Sequence, residues 1–110
     1  MNYVVDIDGT ICTQSNPDYE NAVPIKERIE ILNRLYDEGH TIIYQTARGM
    51  GRTKNNQSES ISLMYDFTKK QLDSWGVKYH MLFLGKPAGD VYIDDKAIRD
   101  LDFFNQYREQ

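Results

Sequence analysis

The sequence predicts an α/β domain built on a parallel sheet of about four strands, and three observations carry this prediction. Short runs of β-branched and aromatic residues, at 3–5, 41–44 and 91–93, alternate with longer segments whose apolar residues recur at helical spacing. Strands that alternate with helices form parallel sheets with right-handed crossovers. The apolar runs are also continuous, which is typical of strands covered on both faces. A three-layer arrangement is therefore expected.

Turn formers and helix stop signals divide the chain into its elements. Pro24 suits the first position of a helix, and Gly39 and Gly76 each follow a helical pattern as C-terminal glycines do. Polar, turn-rich stretches predict loops. The predicted elements in chain order are a strand at 3–5, a loop at 11–23, a helix at 24–39, a strand at 41–44, a loop at 49–57, a helix at 58–75, a strand within 77–84, a turn at 85–87, a strand at 91–93 and a helix at 97–107.

The second helix has one apolar stripe that is expected to pack into the core. Its members recur at the spacing of one helix face. They are Ile61, Tyr65, Thr68, Leu72 and Trp75.

Polar chemistry begins where the predicted strands end. With the strands in the order 3-2-1-4, a Rossmann-like arrangement, the switch point lies between the first and fourth strands, and ligands bind at such a point beyond the carboxyl ends of the strands. This order would gather Asp6, Asp8, Thr46 and the pair Asp94-Asp95 in one crevice, with Lys86 within reach.

Length, composition and charge set the limits of this prediction. The 110 residues suit a single domain spanning 1–110, with no room for a second lobe, and the net charge of −4 argues against binding to a phosphate backbone. No apolar stretch is long enough to span a bilayer and no signal-peptide pattern opens the chain, so a cytoplasmic location without membrane association is expected. The single cysteine, Cys12, is expected to pack in the interior.

Four carboxylates converging on one crevice would repel each other unless a cation neutralised them. Oxygen ligands without a histidine or cysteine cluster suit Mg²⁺, which is held by one or two carboxylates and substrate phosphate. The predicted metal residues are Asp6, Asp8, Asp94 and Asp95.

The same residues suit phosphoryl transfer. An aspartate can form an aspartyl-phosphate, and a second carboxylate can protonate the leaving oxygen and then activate water. Thr46 can hydrogen-bond a phosphoryl oxygen, and Lys86 adds positive charge. Taken singly, Thr46 also suits a simple cap, residues 85–87 a surface turn, and Asp94-Asp95 the N-cap of the last helix. Because all of these residues occur together at strand ends, a shared phosphoryl-transfer site is favoured over these separate structural roles.

This set of motifs resembles the haloacid dehalogenase superfamily of phosphotransferases. The run Asp6-Ile7-Asp8-Gly9-Thr10 is similar to its first motif, Thr46 to its second, Lys86 to its third and Asp94-Asp95 to its fourth. The resemblance implies that Asp6 is the nucleophile and Asp8 the general acid and base, and that Mg²⁺ is held by Asp6, the Asp8 carbonyl and the terminal pair. The resemblance leaves open which of Asp94 and Asp95 is the direct ligand, and we choose Asp95. It also favours a phosphatase.

The run Thr46-Ala47-Arg48, the turn at 85–87 and the segment 92–99 look more specifically like a small subgroup without a cap domain, the capsule biosynthesis phosphatases. This implies a sugar phosphate or a related small metabolite of surface polysaccharide synthesis. The predicted substrate-binding residues are Thr46, Ala47, Arg48, Arg52 and Lys86. The loop that carries the two arginines is equally well interpreted as a solvent-exposed connector.

Two alternatives remain open at this point. An uncapped site could act on a polynucleotide end or a phosphoprotein, although the acidic charge makes nucleic acid the weaker choice. The domain could also be a non-catalytic module that keeps a phosphate pocket. An open site also leaves room for a homo-oligomer in which a second subunit covers it.

Overall fold

The structure is a computed structural model, and it describes residues 1–14 and 16–108; Ser15, which falls within the predicted loop at 11–23, lies outside the described residues. The α/β class is confirmed. Strands and helices alternate along the chain, and a short 3₁₀ turn at Tyr19–Asn21 lies within the first loop. The elements are β1 (Asn2–Asp6), α1 (Lys26–Asp37), β2 (Thr41–Thr46), α2 (Gln57–Ser74), β3 (Met81–Leu84) and α3 (Asp100–Arg108).

The sheet is parallel, with β2 between β1 and β3. Val4 lies opposite Ile43, and Tyr44 opposite Leu82. This register places Asp6 beside Gln45 and Thr46 beside Leu84, so the carboxyl ends of all three strands meet at one edge. The polar residues that follow β1 and β2 therefore lie close together, as the sequence predicts.

The prediction of about four strands in the order 3-2-1-4 is wrong in its fourth strand, because the sheet of the described residues has three. The segment 91–93 forms no strand, and Ile93 is 96% exposed. The phenol of Tyr92 donates to the Pro87 carbonyl (2.7 Å) and accepts from the Gly89 amide (3.0 Å). These local bonds hold the segment against its own preceding turn, and the edge of β1 stays open, with Val4 58% exposed.

The prediction that the whole apolar stripe of α2 packs into the core is also wrong in part. Thr68 and Leu72 are buried, but Ile61 and Tyr65 are exposed. The first turns of α2 face the loop after β2 instead of the sheet, and Ser60 is buried in that contact. A side chain at Gly49 would meet Ser60 and Met64 at 3.1–3.4 Å, so glycine permits this close approach. The buried face is consequently rotated away from Ile61.

The core lies between the sheet and its helices. α1 packs on β2 and α3, and α2 packs on β3. In β2 the buried residues Ile42, Tyr44 and Thr46 alternate with partly buried ones, which indicates that both faces of the central strand are covered. The fold thus covers β2 on both faces and presents its last residue, Thr46, at the edge where the site lies.

Candidate active site

A cavity of about 270 Å³, here called the central cavity, opens at the carboxyl ends of β1 and β2. It is lined by six of the residues that the sequence singles out, together with several loop residues that the sequence did not indicate. The predicted ones are Asp6, Asp8, Thr46, Ala47, Arg48 and Lys86, and the others include Gln14, Asn16, Tyr19 and Tyr92. The structure does not place Arg52, Asp94 or Asp95 on its walls.

Asp6, the last residue of β1, is the more exposed of the two carboxylates that line the cavity. The Lys86 ammonium lies 3.2 Å from Asp6 Oδ1, and the Thr10 hydroxyl donates to Oδ2 at 3.1 Å. The Asp6 side chain remains 32% exposed, so its oxygens are accessible from the cavity. A carboxylate offers about four lone-pair sites, so with respect to the described residues each oxygen of Asp6 keeps one free for a further partner.

Lys86 reaches Asp6 from the turn after β3. Gly85 adopts a φ of +90°, a conformation that glycine accepts at low cost, and its carbonyl accepts a bond from Gln57 Nε2. The Lys86 amide then donates to the Thr46 carbonyl at 3.2 Å. The ammonium also lies 4.3 Å from the centre of the Tyr92 ring, so both ends of this residue are held.

Asp8 is bound by a buried arginine. Arg48 Nε donates to Asp8 Oδ2 at 2.9 Å and Nη2 donates to Oδ1 at 3.0 Å, a bidentate pair. The Arg48 side chain is 0% exposed, and its third nitrogen donates to Thr68 Oγ1 at 3.4 Å. Its guanidinium also lies over the rings of Tyr19 and Phe67, at 4.8 and 5.9 Å. In this arrangement Arg48 holds Asp8, whereas the sequence predicts that it contacts the substrate.

Thr46 is buried at the end of β2, with its hydroxyl at the cavity. Its Oγ1 accepts a bond from the Arg48 amide at 3.1 Å. Within residues 1–14 and 16–108 the hydroxyl proton has no acceptor, so it is available to donate to an oxygen placed in the cavity.

Asp94 and Asp95 do not join Asp6 and Asp8. Both are exposed, and Asp94 Oδ1 accepts a bond from the Lys96 amide at 2.9 Å, which lowers the pKa of that carboxyl. In the described part of the chain no three His, Cys, Asp or Glu residues are grouped so that they could hold a metal. The predicted set of four acids is not assembled, because the segment that carries the last two does not pair with β1.

The central cavity still offers oxygen donors that suit Mg²⁺. Asp6 has uncommitted lone pairs and is partly exposed, and Mg²⁺ commonly takes only one or two carboxylates, with substrate phosphate and water completing its octahedron. The residues of the central cavity therefore fit a Mg²⁺ site with few protein ligands.

The fold of this chain resembles that of a protein of known structure. A crystal structure of a structural-genomics target from Vibrio cholerae superposes with a TM-score of 0.83, at 30% sequence identity, over 99% of this chain and 98% of that chain. The chain belongs to the same protein family as this Vibrio cholerae protein. No family model matches the sequence, and no curated protein matches it.

The fold is also shared with a phosphatase. The D,D-heptose 1,7-bisphosphate phosphatase from B. bronchiseptica, crystallised with magnesium and phosphate, superposes with a TM-score of 0.54 at 16% identity. The match covers 97% of this chain but 63% of the phosphatase chain. At this identity the likeness shows the fold alone.

A second cavity, of about 300 Å³, lies beside the central one and shares Asn16 and Tyr19 with it. It is bounded by Leu63, Met64 and Phe67 of α2 on one side and by the loop at 16–20 on the other. Arg52 lies on its wall. The sequence analysis did not predict this cavity, although it named Arg52 as a substrate-binding residue; the aromatic residue Tyr19 in the first loop was a further signal.

None of the helices in the described ranges combines the length and the apolar character needed to cross a bilayer.

Cys12 is fully buried, as expected from the sequence, and we predict that its thiol is unreactive in the folded chain. Burial, followed by the negative charge of Asp8, raises the pKa of the Cys12 thiol to about 12, and only the thiolate is nucleophilic. Iodoacetamide at pH 8 should therefore leave the folded chain unmodified and alkylate it in urea, as followed by mass spectrometry. Alkylation of the folded chain as fast as in urea would contradict this burial.

Proposed function

We propose that this chain is a phosphomonoester hydrolase of the haloacid dehalogenase superfamily that works through an aspartyl-phosphate intermediate. The observation that carries the proposal is the pairing of Asp6 with Lys86 at the carboxyl end of β1, with Asp8 and Thr46 lining the same cavity. The motif resemblance and the fold shared with a phosphatase support it.

In the first step Asp6 attacks the phosphorus of the ester. A bond forms between its oxygen and phosphorus, the bond from phosphorus to the leaving oxygen breaks, and Asp8 in its acid form gives that oxygen a proton. Lys86 and the Thr46 hydroxyl stabilise the charge that spreads over the phosphoryl oxygens. The alcohol then leaves and Asp6 carries the phosphoryl group.

In the second step Asp8, now a carboxylate held by Arg48, takes a proton from a water molecule. The water oxygen bonds to phosphorus, the bond to Asp6 breaks, and its electron pair returns to the Asp6 carboxylate. Hydrogen phosphate leaves, and the proton retained by Asp8 serves the next turnover. The bidentate pair with Arg48 keeps the carboxylate in one orientation between the two steps.

Asp6 and the Asp8 backbone carbonyl would hold Mg²⁺, together with substrate phosphate. When bound, the metal offsets the negative charge of the phosphate as the nucleophile approaches. Asp94 and Asp95 are left out of this set because neither lines the central cavity.

We expect release of phosphate from p-nitrophenyl phosphate in the presence of Mg²⁺, loss of this activity with excess EDTA, and recovery when Mg²⁺ is restored. The measurement is the steady-state rate at several Mg²⁺ concentrations, with urea unfolding followed in parallel to show that EDTA leaves the fold intact. A full rate in EDTA would contradict the metal requirement. If an Asp95→Asn variant needs much more Mg²⁺ for half-maximal activity, Asp95 is a metal ligand after all.

The proposed substrate is a small phosphorylated metabolite, a sugar phosphate or a related precursor of surface polysaccharide. The enclosed volumes favour a small molecule, since the two cavities together are of the size of ordinary ligand pockets. A panel of phosphometabolites compared by kcat/KM tests this substrate class.

A further inference from the structure

The second cavity adjoins the site of phosphoryl transfer. Asn16 and Tyr19 form part of the wall of both cavities. The Tyr19 phenol donates to Asn16 Oδ1 at 3.1 Å, and the Tyr19 ring lies against the guanidinium that holds Asp8. A phosphate bound next to Asp6 would therefore have the second cavity on the other side of Tyr19.

The walls of this cavity combine flat apolar surface with hydrogen-bond acceptors. Leu63, Met64 and Phe67 supply the apolar surface along α2. Asn16, Asp18 and Glu20 line the opposite side and carry side-chain oxygens that accept bonds from hydroxyl groups. Aromatic and aliphatic faces on one side with acceptors on the other suit a ring that is apolar on its faces and hydroxylated at its edge.

Charge separates the two cavities. The central cavity has two carboxylates, Asp6 and Asp8, and two cations, Arg48 and Lys86, so its lining is neutral on balance. The second cavity has two carboxylates, Asp18 and Glu20, and one cation, Arg52. Its lining is acidic on balance, so a second phosphate group there would be repelled.

We propose that the second cavity is the subsite for the leaving group, and that it accepts one uncharged polyhydroxylated ring and disfavours a leaving group with its own phosphate. This inference rests on the proposed phosphatase activity and adds to it a place and a chemical class for the leaving group. A volume of about 300 Å³ lies at the small end of ligand pockets, which favours a single ring over a nucleoside.

The size of the subsite is tested by filling it. Leu63→Trp places an indole in the cavity, and Ile61→Trp is the matched control, because Ile61 lies on the same helix with similar exposure (44% against 46%) but outside the lining. Leu63→Trp should raise KM for glucose 6-phosphate about tenfold or more and leave kcat/KM for acetyl phosphate, a probe without a ring, within about twofold. Ile61→Trp should change neither.

The outcomes separate the two proposals. If the unmodified chain hydrolyses neither acetyl phosphate nor any sugar phosphate, the proposed function fails. If acetyl phosphate is hydrolysed but Leu63→Trp spares glucose 6-phosphate, or weakens both probes equally, the subsite is overturned and the phosphatase stands. Higher kcat/KM for nucleoside 5′-monophosphates than for sugar monophosphates would also overturn the choice of a single ring.

The charge of the subsite is tested with a bisphosphate. Glucose 1,6-bisphosphate should have a lower kcat/KM than glucose 6-phosphate. Glu20→Gln should reduce the ratio of these two kcat/KM values about threefold, the effect expected for one exposed charge. Glu59→Gln, in the first turn of α2 and outside the lining, is the matched control. Equal turnover of the two sugars by the unmodified chain would overturn the discrimination against a second phosphate.

Discussion

Asp6→Asn is expected to abolish hydrolysis of p-nitrophenyl phosphate, with kcat lowered by about 10⁴-fold or more, as is usual when a nucleophile is removed. The amide has nearly the shape of the carboxylate but cannot form the acyl-phosphate bond. It also removes the negative charge that lies 3.2 Å from the Lys86 ammonium. The measurement is kcat at saturating substrate, with circular dichroism to show that the fold is unchanged.

Asp102→Asn is the matched control, because Asp102 is an exposed aspartate on α3 and lines neither cavity. It should retain full activity. In the unmodified chain, rapid acid quench with a ³²P-labelled phosphomonoester should trap label on protein, and hydroxylamine should release it as expected for an acyl phosphate. Turnover that persists in Asp6→Asn, or label that hydroxylamine does not release, would show that Asp6 is not the nucleophile.

Arg48→Met is expected to destabilise the fold by about 3–5 kcal/mol, the usual result when one partner of a buried ion pair is removed. The Asp8 carboxylate would lose both of its bonds to the guanidinium, and Thr68, Tyr19 and Phe67 would lose a shared partner. The free energy of unfolding in urea is the measurement. Arg52→Met, at an exposed arginine of the neighbouring loop, should change it by about 0.5 kcal/mol or less.

Arg48→Lys separates stability from catalysis. Lysine keeps the positive charge but cannot reproduce the bidentate fork, so the variant should fold while kcat falls about 10²-fold as Asp8 loses its fixed orientation. In the double variant Asp8→Asn, Arg48→Met, much of the lost stability should return without any return of activity. An Arg48→Met chain as stable as the original, or an Arg48→Lys chain with unchanged kcat and altered KM, would instead favour the predicted contact of Arg48 with substrate.

The site was predictable from sequence wherever it depends on local patterning. Asp6 directly follows an apolar β-branched run, and Thr46 ends another, so their meeting at one sheet edge follows from parallel pairing. Lys86 belongs to a turn whose glycine marks the end of β3. These residues were identified because strand ends and turns leave signals within a few residues.

The prediction failed where specific side-chain contacts, some of them local, compete with the apolar pattern. The run 91–93 has the composition of a strand, but the Tyr92 phenol bonds to the turn at 87–89, and the segment does not join β1. Asp94 and Asp95 consequently lie outside the central cavity. The stripe of α2 has the right period, yet the packing of Gly49 against Ser60 and Met64 selects a different face.

The sequence by itself determined the α/β class, the alternation of strands and helices, and the cluster of Asp6, Asp8, Thr46 and Lys86. Hydrophobic periodicity and turn chemistry act over short stretches of chain and mark the strand ends, and parallel pairing then brings those ends to one edge of the sheet. Only the tertiary structure decided that Arg48 is buried against Asp8, and that a second cavity adjoins the first. An arginine in a polar loop carries no local sign of its partner. Its role depends on burial between α2 and the first loop, which brings together residues far apart in sequence.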